Sequence, residues 1–388
     1  MKIIAFSSGN PKDPKTWSNV PYYATKVLEE MGHSVYCVNI LSEKKIIRFF
    51  SKYINKIFRM IFGRDTLFLF HLFPVLKKRN NKIIKKAIDK FGNCDVLLFF
   101  SYSLSGCEVT NIPSILFCDF TIEYAIHNLH KRKVKWYEKT LITHQDKIIR
   151  SANLVVSLFP KATEHYRKYY KTNNIYGVQG HILNCDEKVE KVDELIKTKL
   201  TSKKILFIGR KSYKQGALCL YESINLYNKT HFENPISLSI IGMNESDLGI
   251  QSNEFVKCLG VLDKNKKEEK IQYYELIRTA KCIVNTTKNW GGISSITEAM
   301  YFGTPVITTS YDEFVEIFGE KIDFGYYSEP ENVEQLKNYI EKLMSMDDLD
   351  YRKMCNCSHN AVKDFTWYNC VKGILECFEN QKAPQKNE

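Results

Sequence analysis

The chain alternates short, wholly apolar runs with longer stretches in which apolar residues recur every three or four positions. KIIAFSS (2–8) is a run of the first kind and ends in small residues. A loop follows, then VPYYATKVLEEMGH, which has helical spacing and a glycine stop, before SVYCVNI returns to strand chemistry. The alternation continues through DVLLFFS (95–101), IPSILFC (112–118) and NLVVSLF (153–159), with helix-like stretches such as WYEKTLITHQDKIIRSA between them. Strands that are apolar on both faces predict a parallel sheet covered on both sides.

After the polar stretch CDEKVEKVDELIKTKLTSKK the pattern begins afresh. KILFIG leads into a helix from about Gln215, followed by ISLSIIG, FVKCLG, a helix around IQYYELIRTA, CIVNTT, PVITT and a helical run near ENVEQLKNYIEKLM. The predicted fold class is therefore α/β, with two Rossmann-like, doubly wound parallel sheets joined near residue 190. A length of 388 residues suits two cores better than one. Open sheets of this kind take ligands beyond the carboxyl ends of their strands, so two facing units predict a central cleft. No run stays apolar for eighteen residues, so no transmembrane helix is expected.

Composition changes this picture little. The chain is 44% apolar and 13% aromatic, enough for burial, and disorder is expected only in the polar tail after about Phe378. Twelve cysteines are scattered along it, and the opening MKIIAFSSGN lacks a charged-then-apolar leader. Reduced thiols in a cytoplasmic protein are expected, not a secreted disulfide framework. Cys355 and Cys357 form the only close pair, with no second pair or His at ligand spacing, so no zinc site is expected.

Charge is more informative. The net charge is +12, and between Lys44 and Lys90 stand fourteen Lys or Arg against Asp65 and Asp89, which leaves the remainder of the chain close to neutral. Within that segment KKIIRFFSKYINKIFRMIF (44–62) spaces Lys44, Arg48, Lys52 and Lys56 four apart, with Ile47, Phe50, Ile54, Phe58 and Ile61 tracking another face. Such a helix can lie on anionic lipid, each charge adding about 1 kcal/mol near the surface. It can equally pack on the first domain with its charged stripe in water. No nucleic-acid-binding module accompanies the charge, so no nucleic-acid partner is expected.

The densest chemistry lies in NWGGISSITEAMYFGTPVITT (289–309). The preceding strand ends near Thr287, and a loop through Trp290, Gly291 and Gly292 leads into a helix starting at Ile293. Glycines allow backbone to approach a ligand closely. The first free N–H groups of the helix, with the hydroxyls of Ser294, Ser295 and Thr297, suit phosphate oxygens. Glu298, one turn in, is placed to accept hydrogen bonds from a ribose diol, or is a solvated helix acid. Gly303-Thr304-Pro305 ends the helix.

This stretch resembles the retaining glycosyltransferases of the GT-B fold that use nucleotide-sugar donors. Their signature is an acid, seven residues, a second acid, then A-M-x-x-G-x-P-V. Glu298 through Val306 match its second half, while Trp290 stands at the position of the first acid, as a wall of the donor pocket or a hydrophobic plug. KILFIGRKSYKQGALCL resembles the family's strand, Gly-Arg and Lys-Gly segment. The resemblance implies that Gly209, Arg210, Lys214, Gln215 and Gly216 contact the donor, with Arg210 and Lys214 neutralising its diphosphate. Gln215 takes the place directly before the glycine where the family has Lys. SSGNPKDPKTWSNVPYYATKVLEEMGH resembles the family's opening strand, loop and helix, which adds Ser18 and Asn19 to the cleft. IPSILFCDFTIEYAIH makes Asp119, Thr121 and His127 candidates on the acceptor side, with an N-cap role for Asp119 and a plain surface role for His127 as the alternatives.

The resemblance implies an acceptor domain over 1–185, a nucleotide-sugar domain over 200–360, and a final helix, 361–380, crossing back to the first. It implies transfer of a hexose from a UDP- or GDP-sugar to a glycan or lipid-linked acceptor, with retention, in cell-surface polysaccharide synthesis. Catalysis is expected to rest on Arg210, Lys214, Glu298, Asp119 and His127, with no cofactor and no metal, since no Asp-x-Asp motif ends a suitable strand. The basic segment adds an expectation of peripheral contact with the inner face of the plasma membrane. Trp290 and Gln215 leave open a degenerate protein that binds nucleotide sugar without turnover, and the charge leaves open a basic membrane-surface protein.

Overall fold

The structure, a computed structural model, describes residues 1–40, 45–63, 76–178, 180–185, 187–288 and 293–382. It divides into two compact units, Met1–Gln179 with Trp367–Glu388, and Gly180–Thr366.

Unit one runs β1 (Lys2–Ser7), α1 (Val20–Glu30), β2 (Ser34–Asn39), α2 (Lys45–Phe62), α3 (Lys77–Phe91), β3 (Val96–Phe99), β4 (Ser114–Cys118), α4 (Ile122–Tyr124), α5 (Trp136–Ser151), β5 (Leu154–Ser157), α6 (Pro160–Tyr170) and β6 (Ile175–Gly177). The six strands form one sheet in the order β2-β1-β3-β4-β5-β6, parallel throughout. Residues Ile3 to Phe6, Val96, Leu97 and Phe99 are essentially without exposure, as strands covered on both faces must be. Phe6 and Phe99 are register partners and stack with centroids 4.9 Å apart. The crossover from β3 to β4 contains no helix among its residues 100–113. A cavity of about 230 Å³ lies between that segment, α3 and α5, lined among others by Lys77, Asn81, Leu104, Glu108, His144 and Ile148.

Unit two contains α7 (Val192–Leu200), β7 (Lys204–Ile208), α8 (Lys214–Thr230), β8 (Ser237–Ile241), α9 (Glu245–Leu248), β9 (Val256–Cys258), α10 (Lys267–Thr279), β10 (Cys282–Asn285), α11 (Ile293–Tyr301), β11 (Val306–Thr308), α12 (Asp312–Phe318), β12 (Gly325–Tyr327), α13 (Val333–Met344) and α14 (Asp348–Val362). Its sheet is again six-stranded and parallel, in the order β12-β11-β10-β7-β8-β9. Gly303 takes φ +69°, a left-handed value open to glycine, and turns the chain from α11 into β11.

The last helix, α15 (Trp367–Lys382), belongs to unit one. Trp367, Cys370, Val371, Ile374 and Phe378 form its buried stripe, with the Trp367 ring stacked on Tyr23 of α1 and tilted over Phe117 of β4.

A buried ammonium ties three elements of unit two together. Lys199 has no exposure, and its ammonium donates to the carbonyls of Ile277 (2.7 Å) and Ala280 (3.3 Å) and to Thr304 Oγ1 (2.9 Å). These contacts tie α7 to the end of α10 and to the turn after α11. Burial pushes its pKa down to about 7, because the charged form loses water that three neutral acceptors only partly replace. Lys199→Met is expected to leave two buried carbonyls without this donor and to cost about 1–3 kcal/mol in urea unfolding at pH 6.

Candidate functional site

The order of the second sheet contains a reversal. From β7 the chain builds outward to β8 and β9, then returns to lay β10, β11 and β12 on the other side. Ligands of open α/β sheets settle beyond the carboxyl ends of the two strands that flank such a reversal, here β7 and β10. Gly209 and Arg210 directly follow β7, and Thr286 and Thr287 directly follow β10.

Two helices begin at this point. The first turn of α8 lies against the end of β10. A Cβ on Gly216 would stand 2.6 Å from Thr287 Oγ1 and 2.9 Å from the Thr287 backbone nitrogen, so any larger residue forces the helix start away. The first turn of α11 reaches the end of β7, where Ser295 Oγ donates to the Ile208 carbonyl (3.4 Å). Two helix amino termini therefore lie at the reversal, each with the positive end of its peptide dipoles there; α8 continues from a 3₁₀ turn, Lys211–Tyr213, whose Lys211 carbonyl accepts from the Lys214 N–H. Two cations stand with them. Arg210, exposed, has extended backbone (φ −80°, ψ 174°), and Lys214, half-buried, opens α8. Lys211 between them is tied to Asp247 at 2.5 Å, whereas among the described residues neither Arg210 nor Lys214 is ion-paired. Gln215 is exposed on the same turn.

The site also holds unmet hydrogen-bonding capacity. Asn285 spends its carbonyl oxygen on Thr287, accepting from the backbone N–H (3.2 Å) and hydroxyl (2.7 Å). Its amide nitrogen, and the Tyr311 hydroxyl just beyond β11, are buried without a hydrogen-bond partner. Buried polar groups are rarely left so unless a ligand or water meets them.

Glu298 behaves differently from expectation. It is 4% exposed, which excludes the solvated-acid reading. Its Oε1 accepts from Lys264 Nζ (2.5 Å) and from the Tyr274 hydroxyl (3.0 Å), and its Oε2 accepts from the Tyr273 hydroxyl (2.7 Å). The Lys264 ammonium also lies 4.2 Å from the Tyr273 ring centroid. Thr297 likewise turns inward, its hydroxyl donating to the Ile293 carbonyl (2.9 Å), so it offers nothing to a phosphate. Ile293 is buried in the core, Ser294 is exposed, and Trp290, Gly291 and Gly292 lie outside the described residues. His181 meets Ser294 Oγ through Nε2 at 3.2 Å, and burial pushes its imidazole down to about 4, so it is neutral at pH 7.

In unit one the loop after β1 passes through Trp17, Ser18 and Asn19 with φ +40°, +52° and +71°. Three successive left-handed residues other than glycine are costly, and surrounding packing must enforce them. Trp17 supplies it. Its ring meets Phe100 and Phe117 edge-on at 6.4 and 6.1 Å, and its side chain hydrogen-bonds the Asp119 carboxyl. Ser18, Asn19 and Asp119 are thus brought together through Trp17. Burial pushes the Asp119 carboxyl up to about 6, with the Trp17 bond acting in the opposite direction. Asp119 is not a helix cap. That role falls to Thr121, whose hydroxyl accepts from the Tyr124 N–H (3.1 Å). His127 is exposed on a single π-turn, Ala125–Leu129, and 3.9 Å from Glu123, whose other oxygen meets His165 Nε2 at 2.7 Å. Among the described residues no cluster of three His, Cys, Asp or Glu is placed to hold a metal ion.

Sequence reasoning missed His181, Lys264, Tyr273, Tyr274, Asn285 and Trp17. Only Trp17, beside Ser18, carried a positional hint. Asn285 reaches Thr287 locally, but nothing in the sequence marks its unpaired amide, and the others are joined to their partners by tertiary contacts that no local pattern encodes.

These two sheets, each doubly wound, define the GT-B fold class of glycosyltransferases. Residues 189–363, a little under half of the chain, match the model described as glycosyl transferases group 1. Among solved structures it is similar to a sucrose-phosphate synthase from Thermosynechococcus elongatus, with TM-score 0.63 and 14% identity over 99% of both chains. It is similar to a UDP-forming α,α-trehalose-phosphate synthase from Burkholderia xenovorans, with TM-score 0.65 and 11% identity over 98% of this chain and 99% of that one. A glycosyltransferase from Rickettsia africae gives TM-score 0.62 and 16% identity over 99% of both chains. At such identities the likeness is one of fold. No curated protein matches the chain in sequence.

Asp119 sets a pH-dependent outcome. Its carboxyl ionises at 3.8 ordinarily and at about 6 in the fold, so keeping it charged costs stability, and that cost grows as pH rises from about 4 to about 6 and is constant above. Asp119→Asn retains an oxygen for Trp17 and removes the charge. It is expected to leave the melting temperature unchanged at pH 4 and to raise it at pH 7.5, as measured by calorimetry.

Proposed function

We propose that this glycosyltransferase moves a hexose from a UDP- or GDP-sugar to a glycan or lipid-linked acceptor on the cytoplasmic side of the membrane, in cell-surface polysaccharide synthesis. The observation that carries the donor assignment is the convergence of two helix amino termini, Arg210 and Lys214 at the strand reversal of unit two. A diphosphate is the ligand whose charge and oxygen count suit that set.

In this reading Arg210, Lys214, Gly209, Gln215, Gly216, Ser294, Ser295 and the loop through Trp290, Gly291 and Gly292 hold the diphosphate, with Ile293 packing the turn beneath it. The bond from the anomeric carbon to the diphosphate oxygen breaks, and charge builds on that oxygen, where both cations and both helix dipoles stabilise it. The acceptor hydroxyl adds to the same face and its proton passes to the departing phosphate, so retention needs no protein base. Glu298 takes the ribose by exchange: Lys264, a quarter exposed, yields its place on Oε1 while Tyr273 and Tyr274 keep the carboxylate aimed. Unit one receives the acceptor near Ser18, Asn19 and Asp119, with His127 at its margin. Trp290 and Gln215 favour a second reading in which the protein binds donor without turning it over.

A panel of UDP- and GDP-sugars, assayed for hydrolysis and transfer, decides between the two. Turnover with at least one donor is expected, with Arg210→Ala lowering kcat on the order of a hundredfold or more and Glu298→Gln raising KM. Nucleotide binding by calorimetry with no turnover on any donor would establish the second reading. Gly216→Ala tests the site under either one: it is expected to weaken UDP or GDP binding about tenfold by displacing the start of α8, and unchanged affinity would place the diphosphate elsewhere.

A further inference from the structure

The crossover from β3 to β4 lies flat against the first sheet. A Cβ on Gly106 would stand 2.6 Å from Leu97 Cδ1, so the chain passes over β3 at a distance that suits only glycine. A helix is about 10 Å across with its side chains, and the flat passage leaves that layer unfilled between α3 and α5, where the cavity of about 230 Å³ stands. The two helices do not meet it with apolar faces. α3 turns Lys77, Asn80, Asn81 and Ile84 towards it, and α5 turns His144, Lys147, Ile148 and Ser151, sets spaced three and four apart as one helix face requires. Stripes that close on a core are apolar, and here each holds a single isoleucine. Where α5 does offer an apolar surface the chain covers it: Tyr137, two turns before His144, carries the rings of Phe58 and Phe62 of α2, each with its centroid 5.0 Å away. The sequence pattern grouped Ile47, Phe50, Ile54, Phe58 and Ile61 on one face of α2. The structure divides that face, with Phe58 inward and Ile61 outward, while Lys44 and the side chains of Ile47, Arg48 and Phe50 lie outside the described residues.

The lining of the cavity mixes hydrogen-bond donors and acceptors. Glu108, from the crossover, accepts from Asn81 Nδ2 (2.9 Å) and pairs with Lys77, so a carboxylate faces the space. Among the described residues neither His144 nor Lys147 has a hydrogen-bond or ion-pair partner. Burial, with the Lys77 and Lys147 ammoniums, holds the His144 imidazole below its ordinary value against the pull of Glu108. The ring is therefore neutral at pH 7, one nitrogen donating and the other accepting. Deeper in, Ser103 Oγ accepts from Gln145 Nε2 (3.1 Å), and Gln145 Oε1 accepts from the Ile122 N–H (2.7 Å). Ile84, Leu104 and Ile148 are the aliphatic residues of the lining.

We infer that this cavity binds a single neutral pyranose ring, with its hydroxyls on Glu108, Lys147, His144 and Asn81 and its C–H face on Ile84, Leu104 and Ile148. Sugar hydroxyls donate and accept alike, which a lining of this mixed character requires. An anion would meet the Glu108 carboxylate, and an apolar molecule would take water from Lys147 and His144 without replacing it. Sites for drug-sized ligands run from about 300 to 1,000 Å³, so the space suits one ring and not a nucleotide. The cavity belongs to unit one and lies on the face of its sheet, whereas the diphosphate contacts belong to unit two.

NMR of the full chain with labelled histidines tests this. The probes are glucose, galactose, mannose and N-acetylglucosamine at millimolar concentration, each as the free sugar and as its methyl glycoside. At least one is expected to shift the His144 ring signals, assigned by their loss in His144→Phe, and to raise the melting temperature. Binding of both forms marks the end unit of a glycan, and binding of the free form alone marks a monosaccharide. His144→Phe, which fills the space with an apolar ring, is expected to abolish the rise in melting temperature. Lys147→Ala is expected to fold as the unsubstituted chain does, because the side chain is exposed. It is expected to weaken binding on the order of tenfold, the loss of one hydrogen bond from a charged group. No sugar shifting the ring, full affinity in Lys147→Ala, or inorganic phosphate shifting the ring where no sugar does would each overturn the inference. Donor turnover enters none of these readouts, so failure here leaves the transferase reading intact.

Discussion

Everything in the candidate donor site depends on how closely two helix starts can approach two strand ends. At Gly216 the α8 backbone lies so near Thr287 that a single methyl group would collide with both its hydroxyl and its backbone nitrogen. Across the reversal Ser295 reaches the last carbonyl of β7. With both helices seated, the positive ends of their dipoles lie at two neighbouring strand ends, and Arg210 and Lys214 add full charges to the partial ones. Neither helix alone would make more than a weak anion site. Bringing two to one point is the work of the sheet order, which places β7 and β10 side by side although the chain between them has first built β8 and β9.

Glu298 shows how such a site is kept rigid. An acid buried among neutral groups would be costly, and this one is met by an ammonium and two phenol hydroxyls contributed by α10 and the loop before it. The same three contacts fix α11 against α10, so this carboxylate is also a structural tie. Lys199 does the corresponding work on the other end of these elements, drawing α7, the end of α10 and the turn after α11 onto one ammonium.

The strands were legible in sequence because burial on both faces leaves an unbroken apolar run, and the glycine stops marked the helix ends. The local chemistry at 209–216 and 293–303 was legible too, since small residues, a cation and a helix start are adjacent in the chain. What could not be read was anything made by contact. The donors around Glu298 stand 24 to 34 positions away. Trp17 gives no sign that it will hydrogen-bond to Asp119, and the N-cap expected at Asp119 falls two residues later because Thr121, not Asp119, meets the Tyr124 amide. Helix α2 is the clearest case. Periodicity fixes the angle of each side chain about the helix axis, but only the position of Tyr137 decides which of those angles is covered.

The return of α15 to unit one gives the chain an order of assembly. Unit two is continuous, from Gly180 to Thr366, and every residue it needs has been made before the carboxy-terminal helix exists. Unit one is interrupted, and the faces of Tyr23 and Phe117 that Trp367 covers stay open until α15 has left the ribosome. A nascent chain therefore carries a finished unit two while unit one still waits for its last helix, and a chain lacking α15 would expose aromatic surface permanently.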